Sequence, residues 1–168
     1  MKTIEIDKGS LKEIDYTEEK VRALIVFENR ILASHYAGLI LFPGGAIEAG
    51  ETKEVALIRE LKEEIGIEYQ ESDLESAFRV EYSQPNYPTR RGEIVNRLFI
   101  TNYYIAPYKG INIKNTGLSG KEVKDGFRLE LMTFDEVLNN KQGGNPRQPY
   151  FDKENEVVLR ELQKIIKR

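Results

Sequence analysis

The spacing of apolar positions changes several times along the chain, and each change predicts an element. Thr3 to Ile6 reads as a short strand or the lead-in to one. Val21 to Phe27 (VRALIVF) is a short apolar run rich in β-branched residues, the pattern of a buried strand. Glu28-Asn29-Arg30 predicts a tight turn and Ile31 to Tyr36 the returning strand. Leu39 to Phe42 predicts another strand, ended by Pro43-Gly44-Gly45. From Lys53 to Ile65 the composition becomes helical, with Thr52 as N-cap and Gly66 where a C-terminal glycine is expected.

Leu74 to Tyr82 and Ile94 to Ile105 read as two strands, joined by a loop, Ser83 to Gly92, rich in Pro, Arg and Tyr. Lys109 to Gly126 is polar and Gly-dotted and is expected to be mostly loop. Phe127 to Thr133 then predicts a strand and Phe134 to Asn139 a short helix. Gly143 to Pro146 breaks the chain before an amphipathic helix, Glu154 to Lys167. No repeat, low-complexity tract or linker intervenes, so residues 1–168 are expected to form one domain. Strands with a few interspersed helices suggest an α/β sandwich with a mixed sheet.

Composition narrows the chemistry. At 40% hydrophobic and 32% charged residues, the chain can bury a core and stay soluble. It has no cysteine and one histidine, His35, so thiol nucleophiles, disulfides and thiolate- or multi-histidine-ligated metals are excluded. Any metal must be held mainly by oxygen, which favours magnesium, manganese or calcium. A net charge of -3 argues against general nucleic-acid binding. No apolar run is long enough to cross a membrane, and Met1 to Tyr16 lacks a signal peptide's apolar centre, so the expected location is the cytoplasm.

The informative segment is Gly44 to Ile67, GGAIEAGETKEVALIRELKEEIGI. On a helix, Glu60, Glu63 and Glu64 fall within an arc of roughly 100°, because positions i, i+3 and i+4 share a face. Ile58, Leu61 and Ile65 form a second cluster, centred roughly 130° away. One side suits a core, and the other gathers three carboxylates. Such a cluster repels itself unless a cation neutralises it, and a divalent ion prefers acidic oxygens. Lys62 lies off the acidic face, whereas Arg59 is near enough to brace Glu51 or a helix acid through a bidentate pair. Taken alone, a helix with several glutamates is an ordinary solvated surface helix.

The surroundings change that reading. The segment resembles the Nudix family, whose signature is G-x5-E-x7-R-E-U-x-E-E-x-G-U, with U a bulky aliphatic residue. Gly45, Glu51, Arg59, Glu60, Leu61, Glu63, Glu64, Gly66 and Ile67 fill every specified position. The Phe42-Pro43-Gly44-Gly45 lead-in and the flanking strands are similar to the family as well, from about Val21 onward. The resemblance implies an α/β/α sandwich and Mg2+-dependent (or Mn2+-dependent) hydrolysis of a nucleoside diphosphate linked to a further group. It implies Glu60 and Glu64 as the main metal ligands, with Glu63 close by, Glu51 as an additional metal-side acid and Arg59 holding the glutamates. Metal ions can stabilise charge on the phosphoryl oxygens and acidify an attacking water, and a box glutamate or an acid on a later loop would be the base.

Outside the box, Gly120-Lys121-Glu122 resembles a loop of the MutT-type triphosphatases that supplies another metal-side glutamate, with Asp125 and Glu93 as substitutes. Asn155, opening the last predicted helix, resembles a position that reads a purine edge; the plainer reading is a helix cap. Ser83 to Pro88 partly resembles the SQPWPFP array of the NADH-cleaving branch, lacking its fourth-position aromatic. That makes it a candidate substrate-facing loop, whose Arg90 and Arg91 would meet phosphates and whose Tyr82 and Tyr87 would stack or pack. His35 reads as structural or surface. Expected partners are a nucleotide-like small molecule, with no nucleic acid or membrane, and a homodimer is compatible with the sequence. Nucleotide sugars of the ADP-ribose kind and nucleoside triphosphates rank level as substrates. The alternatives are a non-catalytic nucleotide sensor, which usually lacks box glutamates, and an RNA-decapping enzyme, which needs a basic RNA path.

Overall fold

The computed structural model describes residues 1–7, 13–140 and 144–167. Gly143, part of the predicted chain break, and residues 8–12 of the N-terminal stretch lie outside the described residues. In chain order the elements are β1 (Lys2–Ile6), β2 (Tyr16–Leu24), β3 (Val26–Phe27), β4 (Arg30–Tyr36), β5 (Leu39–Leu41), β6 (Gly44–Ala46) and α1 (Lys53–Ile65). Then come β7 (Glu75–Pro88), β8 (Ile94–Ile105), α2 (Gly120–Lys124), β9 (Arg128–Thr133), α3 (Phe134–Asn139) and α4 (Gln148–Ile166).

A mixed sheet runs in the order β1-β7-β8-β2-β6, with β1/β7 and β2/β8 parallel and the other pairs antiparallel. In a second sheet β4 pairs with β3, β5 and β9, all antiparallel. The predicted strand Val21 to Phe27 is two strands. After Leu24 the chain leaves the first sheet, and the carbonyl of Ile25 accepts from the Leu32 amide of the second. Apart from Arg22 the run is apolar because alternate residues enter opposite cores. Val21, Ala23 and Ile25 pack with Ala56, Leu57, Leu61 and Ile65 of α1. Leu24 packs with Phe78, Tyr103 and, from α4, Val158, Leu159 and Leu162. Adjacent Tyr103 and Tyr104 of β8 divide in the same way. Helices therefore cover both sides of the strands, giving the expected α/β/α sandwich.

Several boundaries depart from the pattern. Gly44 to Ala46 is not only a stop signal but the edge strand β6, paired with Lys20 to Arg22. The predicted loop after Tyr82 is mostly strand: β7 runs on to Pro88, with a bulge between Gln84 and Tyr87 that accommodates the prolines. Helix α4 begins six residues before Glu154, because Pro149 in a first helical turn loses no hydrogen bond. The polar segment after β8 contains α2 and also caps α1: the amides of Asn112 and Gly117 donate to the last-turn carbonyls of Ile65 and Glu63. Helix α1 has its predicted ends. Thr52 Oγ1 accepts from the Val55 amide at 3.2 Å, and Gly66 turns out at φ 76, where a Cβ would overlap the Asn112 carbonyl. Among the described residues no helix is long and apolar enough to cross a membrane.

Candidate active site

Strands β2 and β6, helix α1, helix α2 and the start of α4 enclose a cavity of about 240 Å³. Glu60, Glu64 and Glu122 line it together. Two glycines allow the helix acids to be there. Gly44, at φ 138, donates its amide to Glu64 Oε2 at 2.8 Å, and a Cβ on it would strike the backbone of Val21. A Cβ on Gly45 would overlap the Glu60 carboxylate. Both glycines are needed for close approach, not only for the turn.

The face that the periodicity shows as one acidic surface is divided in three dimensions. Glu64 turns inward and is 6% exposed. Burial pushes its carboxyl up to about 8, against the Gly44 amide and Arg22, while Glu60 and Glu122 reinforce the rise. Burial also raises the Glu60 carboxyl, opposed by Arg59. Glu63 is more open and lies outside the cavity lining, 3.7 Å from Arg59 Nη1. Arg59 is the brace that the spacing suggests. Its Nε and Nη2 hold the two oxygens of Glu51 at 2.7 and 2.9 Å, Nη1 donates to Glu60 Oε1 at 2.9 Å, and Nη2 also reaches the Ala46 carbonyl at 3.0 Å. This contact lowers the Glu51 carboxyl to about 2, with help from the Glu48 amide. Glu51 is thus joined to the cavity through Arg59 and does not line it. Lys62 pairs with Glu68, away from the acids.

Glu122, a candidate from the sequence, lines the cavity from the short helix α2, where a loop is expected. One oxygen is engaged in a capping box, accepting from the Ser119 amide at 2.6 Å. Asp125 accepts from Tyr36 Oη at 3.1 Å, and Glu93 sits exposed in the β7–β8 turn. Arg90 and Arg91 are exposed in that same turn and are not brought to the cavity. Asn155 is neither at a helix start nor on the cavity lining; it is buried within α4 and donates to the Ile40 carbonyl at 3.1 Å. Tyr82 packs on Tyr150 and Tyr87 covers the Arg97 guanidinium, so both rings are occupied. His35 is buried, with Nε2 2.8 Å from Glu130 Oε2.

Sequence reasoning missed the basic side of the cavity, Lys20, Arg22 and Arg147. One signal was available: Arg22 interrupts an otherwise apolar buried run, and a charge there needs a reason.

The donor set fits a hard divalent ion. It is all oxygen, and burial together with the neighbouring Glu122 raises the proton affinity of both Glu60 and Glu64, which a cation would relieve. Among the described residues, however, no three acidic groups already converge as a closed ligand set: Glu60 is held by Arg59 and Glu122 by the Ser119 amide.

A profile described as the NUDIX domain matches residues 16–153. The chain is 34% identical over 113 residues to the 8-oxo-dGTP diphosphatase of Haemophilus influenzae, spanning 66% of this chain and 69% of that protein. It is 44% identical over 62 residues to the 8-oxo-dGTP diphosphatase of Escherichia coli, spanning 37% of this chain and under half, 46%, of that protein. The MutT protein structure from Bacillus halodurans superposes with a TM-score of 0.51 at 25% identity, over 73% of this chain and 72% of that one. The MutT protein from Methanosarcina mazei gives 0.58 at 18% identity over 90% and 98%, a likeness of fold alone.

Proposed function

The chain belongs to the NUDIX hydrolase family, and from that premise we propose that it is a magnesium-dependent pyrophosphohydrolase of nucleoside triphosphates. The family and its relatives support hydrolysis of a nucleotide phosphoanhydride. The triphosphate class, and 8-oxo-dGTP as the first compound to test, follow from the names of the two relatives. One observation carries the reading: Glu60, Glu64 and Glu122 face one cavity, with Arg59 tying Glu60 to Glu51 beneath it.

When bound, magnesium supplies neutralising charge to the phosphoryl oxygens and acidifies the attacking water. In this reading Glu60 and Glu64 hold it, from one rigid helix face. Glu122, from α2, lines the same cavity, where it would take the proton of the water. Glu51 stays ionised and keeps Arg59 charged and fixed, so Arg59 sets the orientation of Glu60. Glu63, half open beside Arg59, would be a further oxygen ligand. A sensor that binds without cutting would not need all these acids, and every box glutamate is retained.

The test is turnover of 8-oxo-dGTP, ordinary nucleoside triphosphates, ADP-ribose and nucleotide sugars, with magnesium, with manganese and with excess EDTA. Triphosphate hydrolysis that stops with EDTA, and a Glu60→Gln rate at least about 10³-fold lower, is the expected result. Undiminished turnover in EDTA would refute the metal assignment.

A further inference from the structure

The cavity that the carboxylates line has basic residues as well. Lys20 and Arg22 are alternate residues of β2 and so share a face. They pair in register with Ala46 and Gly44 of β6, the strand against which Glu60 and Glu64 lie. Arg147, just before α4, completes the lining. These cations are engaged only weakly or elsewhere. Buried Arg22 donates to a neutral acceptor, the Phe42 carbonyl, at 2.5 Å. Lys20 lies 3.3 Å from Glu18, whose other oxygen already accepts from Arg97 at 2.6 Å. Arg147 lies over the Phe151 ring, 5.8 Å from its centroid. Burial, Arg22 and Arg147 all lower the proton affinity of Lys20, with Glu18 opposing. Glu18 and Glu64 offset these three like charges only in part, and an entering anion would offset the rest.

We propose that Lys20, Arg22 and Arg147 form a phosphate subsite that selects a triphosphate over a diphosphate diester. This rests on the hydrolase reading above. The diphosphate bridge of a nucleotide sugar carries about two negative charges, which a divalent ion on the carboxylate side neutralises, whereas a triphosphate with its terminal group carries about four. The remaining charge is what the basic wall takes, and Arg22 supplies a planar fork suited to phosphoryl oxygens.

The experiment measures kcat/KM of wild type, Lys20→Gln, Arg22→Gln and Arg147→Gln on a nucleoside triphosphate and on ADP-ribose, at saturating magnesium. It also measures the rise in melting temperature that inorganic tripolyphosphate plus magnesium gives each protein. Each substitution should lower kcat/KM on the triphosphate by about 10- to 100-fold, mainly through KM, and change ADP-ribose turnover by less than about threefold. The tripolyphosphate shift should shrink in step. Equal losses on both substrates, or an undiminished tripolyphosphate shift, would overturn the subsite. If Arg22→Gln does not fold, the Lys20 and Arg147 variants give the same readout. If wild type hydrolyses neither compound, the hydrolase reading fails, and tripolyphosphate binding alone still decides whether the basic wall takes phosphate.

Discussion

Replacing Glu64 with glutamine should produce opposite effects on stability and on activity, and the size of the first follows from the structure. The carboxyl is buried, accepts from the Gly44 amide, and has its proton affinity raised from 4.5 to about 8. At about 1.4 kcal/mol per pH unit, that gap corresponds to an ionised form disfavoured in the fold by an amount on the order of 5 kcal/mol. Because the folded-state value lies above the unfolded one, this group's contribution is fully present below about pH 4.5 and is lost as pH rises to about 8. Metal-free wild type should therefore lose several kcal/mol of stability between about pH 5 and pH 8. Glutamine keeps the acceptor for Gly44 but cannot ionise, so the Glu64→Gln protein should lack that slope and be the more stable of the two at pH 8 to 9. Magnesium should reverse the order, stabilising wild type strongly and the variant weakly. Urea melts at pH 5, 7 and 9, with EDTA and with magnesium, measure both effects, and the rate should fall by at least about 10³-fold. Parallel pH profiles for the two metal-free proteins would refute the argument that an unneutralised acid is buried here.

Other substitutions probe the remaining supports. Glu122→Gln should slow turnover by about 10²-fold or more while stability drops by no more than about 1 kcal/mol, since only its capping box with Ser119 is weakened; a near-normal rate would return Glu122 to a purely structural part. Gly45→Ala should leave the protein folded but displace the Glu60 carboxylate, lowering the rate by about 10²-fold or more with a weaker magnesium-induced rise in melting temperature; wild-type kinetics would show that the acid has room to move. Arg59→Lys keeps the charge but loses the fork to Glu51, so kcat should fall at least about tenfold; an unchanged kcat would mean that charge alone suffices.

How much was legible depended on whether the information was local. The limits of α1 could be read from Thr52 and Gly66, because caps are short-range devices that sequence spacing exposes. The division of the helix acids could not. Periodicity assigns an angle around the axis, but Glu64 is buried where Gly44 of β6 approaches its carboxylate, whereas the Glu63 carboxylate stays half open beside Arg59. That difference is a tertiary contact. The same holds for the basic wall: Lys20 and Arg22 meet the acids only through the β2–β6 pairing, and β6 is three residues of glycine and alanine that read as a turn. Prolines misled twice in the same way. Pro85 and Pro88 suggested a loop, and Pro149 lies ahead of the predicted helix start, yet a bulged strand and a first helical turn both tolerate the missing N–H.

The spacing of the box becomes intelligible from Arg59. Its four donated bonds join three separate pieces of chain: Glu51 before the helix, Glu60 on it and Ala46 at the end of β6. A planar guanidinium can serve a bidentate carboxylate and two further acceptors at once, which a lysine ammonium on a flexible stem cannot fix in direction. Holding Glu51 requires the loop after β6 to fold back over the first turns of α1, and the Glu48 amide binding Glu51 Oε2 at 2.9 Å closes that loop. Once Ala46 and Glu60 are tied to the same side chain, Gly45 is forced against the Glu60 carboxylate, and only a residue without a Cβ fits. The fixed intervals from Gly45 to Glu51 and from Glu51 to Arg59 are thus the lengths of chain needed to close one clamp. What the clamp achieves is to hold carboxylates beside basic residues with little direct pairing: Arg59 anchors Glu60 from outside the cavity, and Arg22 donates to the Phe42 carbonyl while only partly offsetting Glu64. Burying like charges in this way costs stability, and under the proposed function a cation and a phosphate chain entering together would recover part of it.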